Sequence, residues 1–202
     1  MKHTFIEAVE HRRSCYSLGA AKAATEEEIV KTIDRLILCS PSAFNCQSSR
    51  VVILFGLHHI CFWGIVKETL SEVIPPQDFD ATCCKIDNSF AAGCGTVLFY
   101  EDKSTVNRLK ENYPLYAEDM DNYASQTSAM LQFAIWTALS DLGFGATLQH
   151  YNPLIDHRVA EQWNIDNNWQ LMAQMPFGTP LTHPAAKNQH LPLSARRLLF
   201  SE

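Results

Sequence analysis

Hydrophobic and polar positions alternate along this chain in two periods, and the helical one dominates. TFIEAVEHRRS, residues 4–14, reads as a short amphipathic helix closed by two arginines and a serine. TEEEIVKTIDRLILCS, residues 25–40, opens with Thr25 and Glu28 at capping-box spacing and continues with a stripe of Ile29, Ile33, Leu36 and Ile37. Pro41 begins a polar, small-residue loop. RVVILFG, 50–56, is a nearly continuous apolar, β-branched run and predicts a buried strand. Residues 57–74 predict another helix, ended by Pro75 and Pro76. Residues 78–95 read as helical and finish in small residues. TVLFYED, 96–102, predicts a second buried strand, and 103–114 a short amphipathic helix.

The longest helical stretch is 117–145. It is polar at first and almost wholly apolar from Ala129 to Leu142, so its second half is expected to cross the core, with Gly143 and Gly145 at its C-cap. Residues 146–151 predict a short strand, 153–165 a helix with Pro153 in its first turn, and 169–178 a further strand. From Thr179 the periodicity fades, which leaves 180–202 as a C-terminal tail on one domain spanning 1–202. The mixed order with few hairpin signals predicts an α+β (or α/β) fold, helix-rich around a small mixed sheet.

Charge and composition narrow the function. Sixteen Lys+Arg against 22 Asp+Glu give a net charge of -6 and no clustered basic face for a phosphate backbone, so nucleic acid is not the expected partner. No apolar run reaches membrane-spanning length and the N-terminus is broken by charge, so the expected compartment is the cytoplasm. The seven cysteines include no C-x-x-C pair. Cys39, Cys61 and Cys94 have apolar neighbours and are expected in the core. His58 and His59 are adjacent and are expected at the surface or its boundary. Cys83 and Cys84 form either a redox pair or two idle thiols. Dinucleotide, P-loop, zincin and nucleophile-elbow motifs are all absent; GFGATLQ resembles half of a dinucleotide loop but follows a helix. Two options remain: a binding module, or a protein whose cofactor carries the chemistry.

Polar segments interrupt the apolar pattern at RRSCYS (12–17), SPSAFNCQSSR (40–50), QHYNP (149–153) and ARR (195–197). Arginine offers a charged planar fork matched to phosphate oxygens. Asn45 and Gln47 can donate to and accept from the edge of a heteroaromatic ring. Small Ser42 and Ala43 let backbone approach a flat ring. Together these groups fit a phosphorylated ring cofactor; singly, each fits a capped loop or a solvated helix end equally well.

The ordered set RRS, SPSAFNCQSSRVVILFG, FAAGCGTVLFYED, FAIWTALSDLGFGATLQHYNPLID and WQLMAQMPFG resembles the nitroreductase family of FMN-dependent oxidoreductases, over roughly residues 5–180. Within that family it is similar to the small branch that joins yeast fatty-acid-repression-type proteins to bacterial nitroreductases. The resemblance implies a homodimer with FMN at the subunit interface. It implies Arg12, Arg13 and Ser14 on the phosphate and ribityl side; because adjacent arginines on a regular helix cannot both face one phosphate, Arg12 and Ser14 are expected as the direct contacts. Ser42, Phe44, Asn45 and Gln47 are expected at the ring from the partner chain. Gln149 and His150 are expected on the flavin's other side, Lys85 near the pyrimidine edge, and Arg196 (or Arg197) as a basic ligand from the tail. It further implies ping-pong hydride transfer from NADH or NADPH to nitroaromatic or quinone-like acceptors, with a flavin-binding regulator or sensor as the alternative. The chain departs from the branch at Cys94, where an aromatic residue is common, and loosely along the tail. Cys46 falls between two expected flavin contacts, where it is either oxidation-sensitive or idle.

Overall fold

The computed structural model describes residues 3–182 and 190–201. In chain order the elements are α1 (Phe5–His11), β1 (Leu18–Gly19), α2 (Glu26–Cys39), β2 (Ser49–Phe55), α3 (Gly56–Ser71), α4 (Pro76–Lys85), β3 (Gly95–Asp102), α5 (Lys103–Asn112), α6 (Met120–Asp141), β4 (Gly145–Ala146), α7 (Asp156–Trp163) and β5 (Trp169–Pro180). The five strands form one sheet in the order β1-β5-β3-β2, with β4 also on β5. Every strand pair is antiparallel, where a mixed sheet was expected. Among the described residues, parallel pairing is confined to one isolated bridge, Ser14 with Ala146.

The strands alternate as their sequences require. Val97 and Phe99 on β3 join Ala173, Met175 and Phe177 on β5 in a core beneath α2 and α6. Leu98 and Tyr100 face the other way, into a second core of Leu54, Phe62, Trp63, Ile155 and Leu171 beneath α3 and α7. Each fully buried side chain of this kind contributes roughly 1.5–3 kcal/mol, so the sheet is held from both sides. A register shift at Phe99/Tyr100 sets Ala173 and then Leu171 opposite consecutive β3 residues, and this turns Leu171 to the second core.

Capping boxes start α1 and α2. Thr4 and Glu7 exchange hydrogen bonds, as do Thr25 and Glu28, where Glu28 N–H donates to Thr25 Oγ1 at 3.2 Å. The helix expected to end at Pro75 and Pro76 stops at Ser71, and Pro76 then begins α4 at a position where proline's missing N–H is harmless. Gly143 follows the end of α6 with φ 97°, whereas Gly145 lies in β4. The expected strand 146–151 pairs only intermittently with β5 after Ala146: the Thr147 amide donates to the Pro176 carbonyl at 3.3 Å, Gln149 exchanges backbone hydrogen bonds with Gln174, and at Tyr151 the amide donates instead to the Gln174 side chain at 2.8 Å. Helix α7 begins three residues later than expected, after a turn. Among the cysteines, Cys94 is buried as expected and so is Cys15, but Cys39 is exposed at the end of α2. His59 is buried, against expectation, because Thr96 and the Ala91 carbonyl satisfy both ring nitrogens.

The second half of α6 does not cross the core on all sides. Leu131, Ile135 and Leu139 pack inward, but Met130 and Phe133 remain 44% and 39% exposed. Residues 198–200 of the tail carry exposed Leu198, Leu199 and Phe200.

Candidate flavin site

The RRS segment does not lie on the helix that precedes it. α1 stops at His11, and Arg12 leaves the helical region with φ -58° and ψ 124°. Pairing with β4 then takes over: Ser14 bridges Ala146, and the Cys15 amide donates to the Ala146 carbonyl at 2.9 Å. The chain thus joins its N-terminal RRS to the segment that continues into Gln149 and His150. Trp136 of α6 completes this junction. Its Nε1–H donates to the same Ala146 carbonyl at 3.2 Å, and the Arg12 guanidinium lies over its ring, 4.3 Å from the centroid.

Arg12 Nε is buried and has no hydrogen-bond partner among the described residues. Burial, with the neighbouring Arg13 charge as a smaller cause, lowers the Arg12 pKa from its usual value. Arg12 and Arg13 line a cavity of about 380 Å³ with Val9, Glu10 and His190. Adjacent Arg12 and Arg13 at a partly desolvated site favour an anion.

Gln149 pairs through its backbone with Gln174, and its side-chain amide donates to Thr147 Oγ1 at 3.1 Å. His150 is exposed beside it. Gln174 is fully buried; besides the Tyr151 amide it holds Asn152 Oδ1 at 3.0 Å. Lys85 closes α4, exposed, with Nζ 6.0 Å from the centre of the Phe90 ring. Phe90 in turn lies 6.5 Å, ring to ring, from Tyr16. The structure therefore groups Arg12, Arg13, Ser14, Gln149 and His150 through β4, with Lys85 reaching the same region through Phe90 and Tyr16. Arg196 and Arg197 follow the short turn Leu193–Ala195, both exposed, and no described side-chain contact joins either to that group.

The 42–47 loop is elsewhere. Phe44, Asn45 and Gln47 adopt φ values of 53°, 50° and 53°, in the left-handed region. A side chain there costs about 1–2 kcal/mol, less for asparagine. Three such residues in four positions persist only where the surroundings over-determine them. The Gln47 amide donates to Ser42 Oγ at 3.0 Å, and Phe44 stacks on Tyr113 at 4.3 Å. The Ala43 amide reaches Thr127 Oγ1 on α6 at 3.5 Å. Cys46 Sγ lies 3.4 Å from Ser48 Oγ. Ser42 and Gln47 line a cavity of about 300 Å³ with Ser49, Arg50, Thr127 and Trp169.

The two groups thus meet the same helix at Thr127 and at Trp136. Nine residues are about 13.5 Å along an α-helix and about half a turn out of phase. One chain presents the ring loop and the phosphate grip on opposite faces of α6. Trp136 and Arg50 both lie inside the segments that carry the family resemblance, but nothing in the local sequence singles either out as a support of the site. The only signal for Trp136 is an indole N–H in an otherwise apolar stretch, which needs an acceptor wherever it is buried.

Among the described residues no group of histidines, cysteines and carboxylates could hold a metal ion, all seven cysteines are free, and no helix is long and apolar enough to cross a membrane.

The profile of the nitroreductase family matches residues 9–179. HBN1 of Saccharomyces cerevisiae, named as a nitroreductase, is 32% identical over 186 residues, covering 91% of this chain and 92% of that one. The solved structure of the nitroreductase CinD from Lactococcus lactis in complex with 4-nitrophenol is 37% identical; it covers 98% of this chain and 100% of its own with a TM-score of 0.88. A nitroreductase with bound FMN from Desulfitobacterium hafniense shares the fold at a TM-score of 0.69 and 14% identity, over 100% of both chains. With matching sequence, matching fold and the RRS and QHYNP segments joined through β4, this chain belongs to the nitroreductase family.

Proposed function

We propose that this protein binds FMN and acts as an NAD(P)H-dependent oxidoreductase on nitroaromatic or quinone-like acceptors. The observation that carries the reading is Arg12: a buried guanidinium nitrogen without a hydrogen-bond partner among the described residues, stacked on Trp136 and next to Arg13. A dianionic phosphate is the ligand this donor set fits. When bound, FMN supplies a two-electron carrier between the nicotinamide and the acceptor.

The protein's own residues bind, orient and polarise. Arg12 and Ser14 take the phosphate, and Arg13 turns toward the ribityl chain or the subunit boundary. Gln149 and His150 approach one side of the ring system, and Lys85 brings positive charge toward its pyrimidine edge, where preorganised electrostatics favour added electrons. Arg196 adds a further cation from the tail. Ser42, Phe44, Asn45 and Gln47 meet the ring from a second subunit, since Thr127 and Trp136 put the two groups on opposite faces of α6. The exposed Met130 and Phe133 on that helix, and Leu198, Leu199 and Phe200 on the tail, give such a homodimer apolar surface to bury. The L. lactis relative's complex with 4-nitrophenol supports a small aromatic acceptor.

The test is direct. Purified protein is expected to be yellow and to oxidise NADH or NADPH when 4-nitrophenol or a simple quinone is supplied. Arg12→Ala is expected to weaken FMN by about 1.5–3 kcal/mol, roughly ten- to a hundredfold in Kd. Wild-type affinity in that variant, or no turnover by FMN-saturated wild type with any acceptor, refutes the reading.

A further inference from the structure

We propose that Arg50 is a positioning residue which, held by Asp102, sets how loop 42–47 meets the flavin ring. The inference deepens the FMN reading and rests on it.

Arg50 donates from Nη1 to the Gln47 carbonyl at 2.6 Å and to the Ser49 carbonyl at 3.1 Å, and from Nη2 to Asp102 Oδ2 at 2.7 Å. Its guanidinium carbon lies 5.8 Å from the centre of the Trp169 ring. One rigid fork therefore ties the backbone of a left-handed residue, Gln47, to the end of β3. Asp102 is itself fixed. Its carboxylate accepts from the Ser104 amide and hydroxyl and from the Thr105 hydroxyl at 2.9, 2.6 and 2.8 Å, capping α5. Its amide donates to the Ser48 carbonyl at 2.9 Å. Next to it, buried Glu101 accepts from the Ser48 and Ser49 hydroxyls.

The end of β3 thus grips residues 47–50 by charge and hydrogen bonds. The loop itself is half exposed, and its other contacts are uncharged: the Ser42, Thr127 and Cys46–Ser48 hydrogen bonds, the turn's own backbone bonds, and Phe44 against Tyr113 and Tyr116. Among the described residues, the fork is the charged group that opposes relaxation of Gln47 toward ordinary backbone. That relaxation would turn the Asn45 and Gln47 amides away from a ring edge without removing any residue proposed to touch it.

The variants are chosen to keep the fold. Asp102→Asn retains a good helix cap, and in Arg50→Gln the Asp102 carboxylate keeps its Ser104 and Thr105 donors. FMN affinity is measured by flavin fluorescence titration of the full-length protein. The visible band of bound flavin and the melting temperature are recorded alongside. Arg158→Gln, which breaks a surface pair with Glu68 and Glu72, is the control. Arg50→Gln and Asp102→Asn are each expected to raise the FMN Kd about tenfold and to alter the band shape, because the loop must then be ordered on binding. The double variant is expected to be no weaker than the worse single one, since both act through one relay. Arg50→Lys recovers part of the loss, because a single ammonium cannot reproduce the fork. Wild-type affinity and band shape in Arg50→Gln, or additive losses in the double variant, overturn the role of Arg50. If Arg50→Gln does not fold, wild-type behaviour of Arg50→Lys overturns it equally. Wild-type protein that binds no FMN at all removes the underlying FMN reading, a different outcome from any of these.

Discussion

Gly145→Ala tests the contact that joins RRS to the rest of the proposed site. A Cβ at residue 145 would lie 2.8 Å from Cys15 Sγ, 2.9 Å from Cys15 Cβ and 3.2 Å from Leu18 Cδ2. Gly145 is not among the residues with positive φ, so alanine is not excluded by the backbone and the cost is steric. Rotating Cys15 moves its sulfur but not its Cβ, and Cys15 is 4% exposed with its amide bound to Ala146. The backbones of β4 and of residues 14–15 must part. Overpacking of this kind costs about 1–3 kcal/mol. At about 2–4 °C per kcal/mol for a chain of this length, the middle of that range lowers Tm by about 4–8 °C. FMN affinity falls with it, because Arg12 and Ser14 move with Cys15. A thermal melt of the cofactor-free protein and an FMN titration read the two effects separately. Cys15→Ala removes only the sulfur and is expected to rescue partly; Cys15→Gly removes both offending atoms and rescues more in a double-mutant cycle. A Gly145→Ala variant that melts like wild type refutes the argument. So does complete rescue by Cys15→Ala.

Three further outcomes follow from buried polar groups. Burial raises the pKa of Glu101, above the opposing effect of its two serine donors, so its contribution to stability is complete below its unfolded pKa and is lost as pH rises through the folded value. Glu101→Gln is therefore expected to raise Tm relative to wild type near pH 8 and to leave it unchanged near pH 4; an equal shift at both refutes this. His59 behaves oppositely. Burial lowers its pKa, and since the Ala91 carbonyl can only accept, Nε2 carries the proton and Nδ1 accepts from Thr96, which takes the Trp63 indole N–H in turn. Stability from this hydrogen-bond chain is present above the unfolded value of 6.5 and is lost on acidification through the folded pKa; His59→Gln should flatten the fall of Tm as pH drops below that value, and an unchanged slope argues against it. Gln174→Leu leaves the Tyr151 amide and Asn152 Oδ1 without their buried partner, at about 1–3 kcal/mol for an unsatisfied group, and hydrogen exchange at Tyr151 should accelerate; unchanged protection there refutes the role of Gln174.

Much of the fold is written locally. The Thr25–Glu28 box, the apolar run in β2 and the buried run in β3 each carry their own signal, and each forms where expected. The Pro75–Pro76 pair reads in sequence as a terminator, and in the structure α3 ends before it while Pro76 also serves as the first residue of α4. β1 has two residues and exists only because Pro180 and Thr179 pair with it. The strand expected at 146–151 survives as β4 and an isolated bridge of Gln149 with Gln174, and which group receives the Tyr151 amide is decided by the Gln174 side chain, more than twenty residues away. In the proposed site, the residue types of RRS and PSAFNCQ suggest phosphate and ring chemistry from the sequence alone. Their supports are not legible there. Trp136 under Arg12, and Asp102 behind Arg50, act across distances of 124 and 52 residues, and no spacing rule reports such a pair.

The left-handed backbone at Phe44, Asn45 and Gln47 sets selection for robustness against selection for use. A glycine at any of the three would relax the chain, and a screen for heat resistance would favour it. The same change would free the loop to sample many shapes when empty, so that each encounter with a ligand would begin with a search. Side chains kept at such positions mark where this protein has retained a costly shape, and heat-based engineering would erase that mark first.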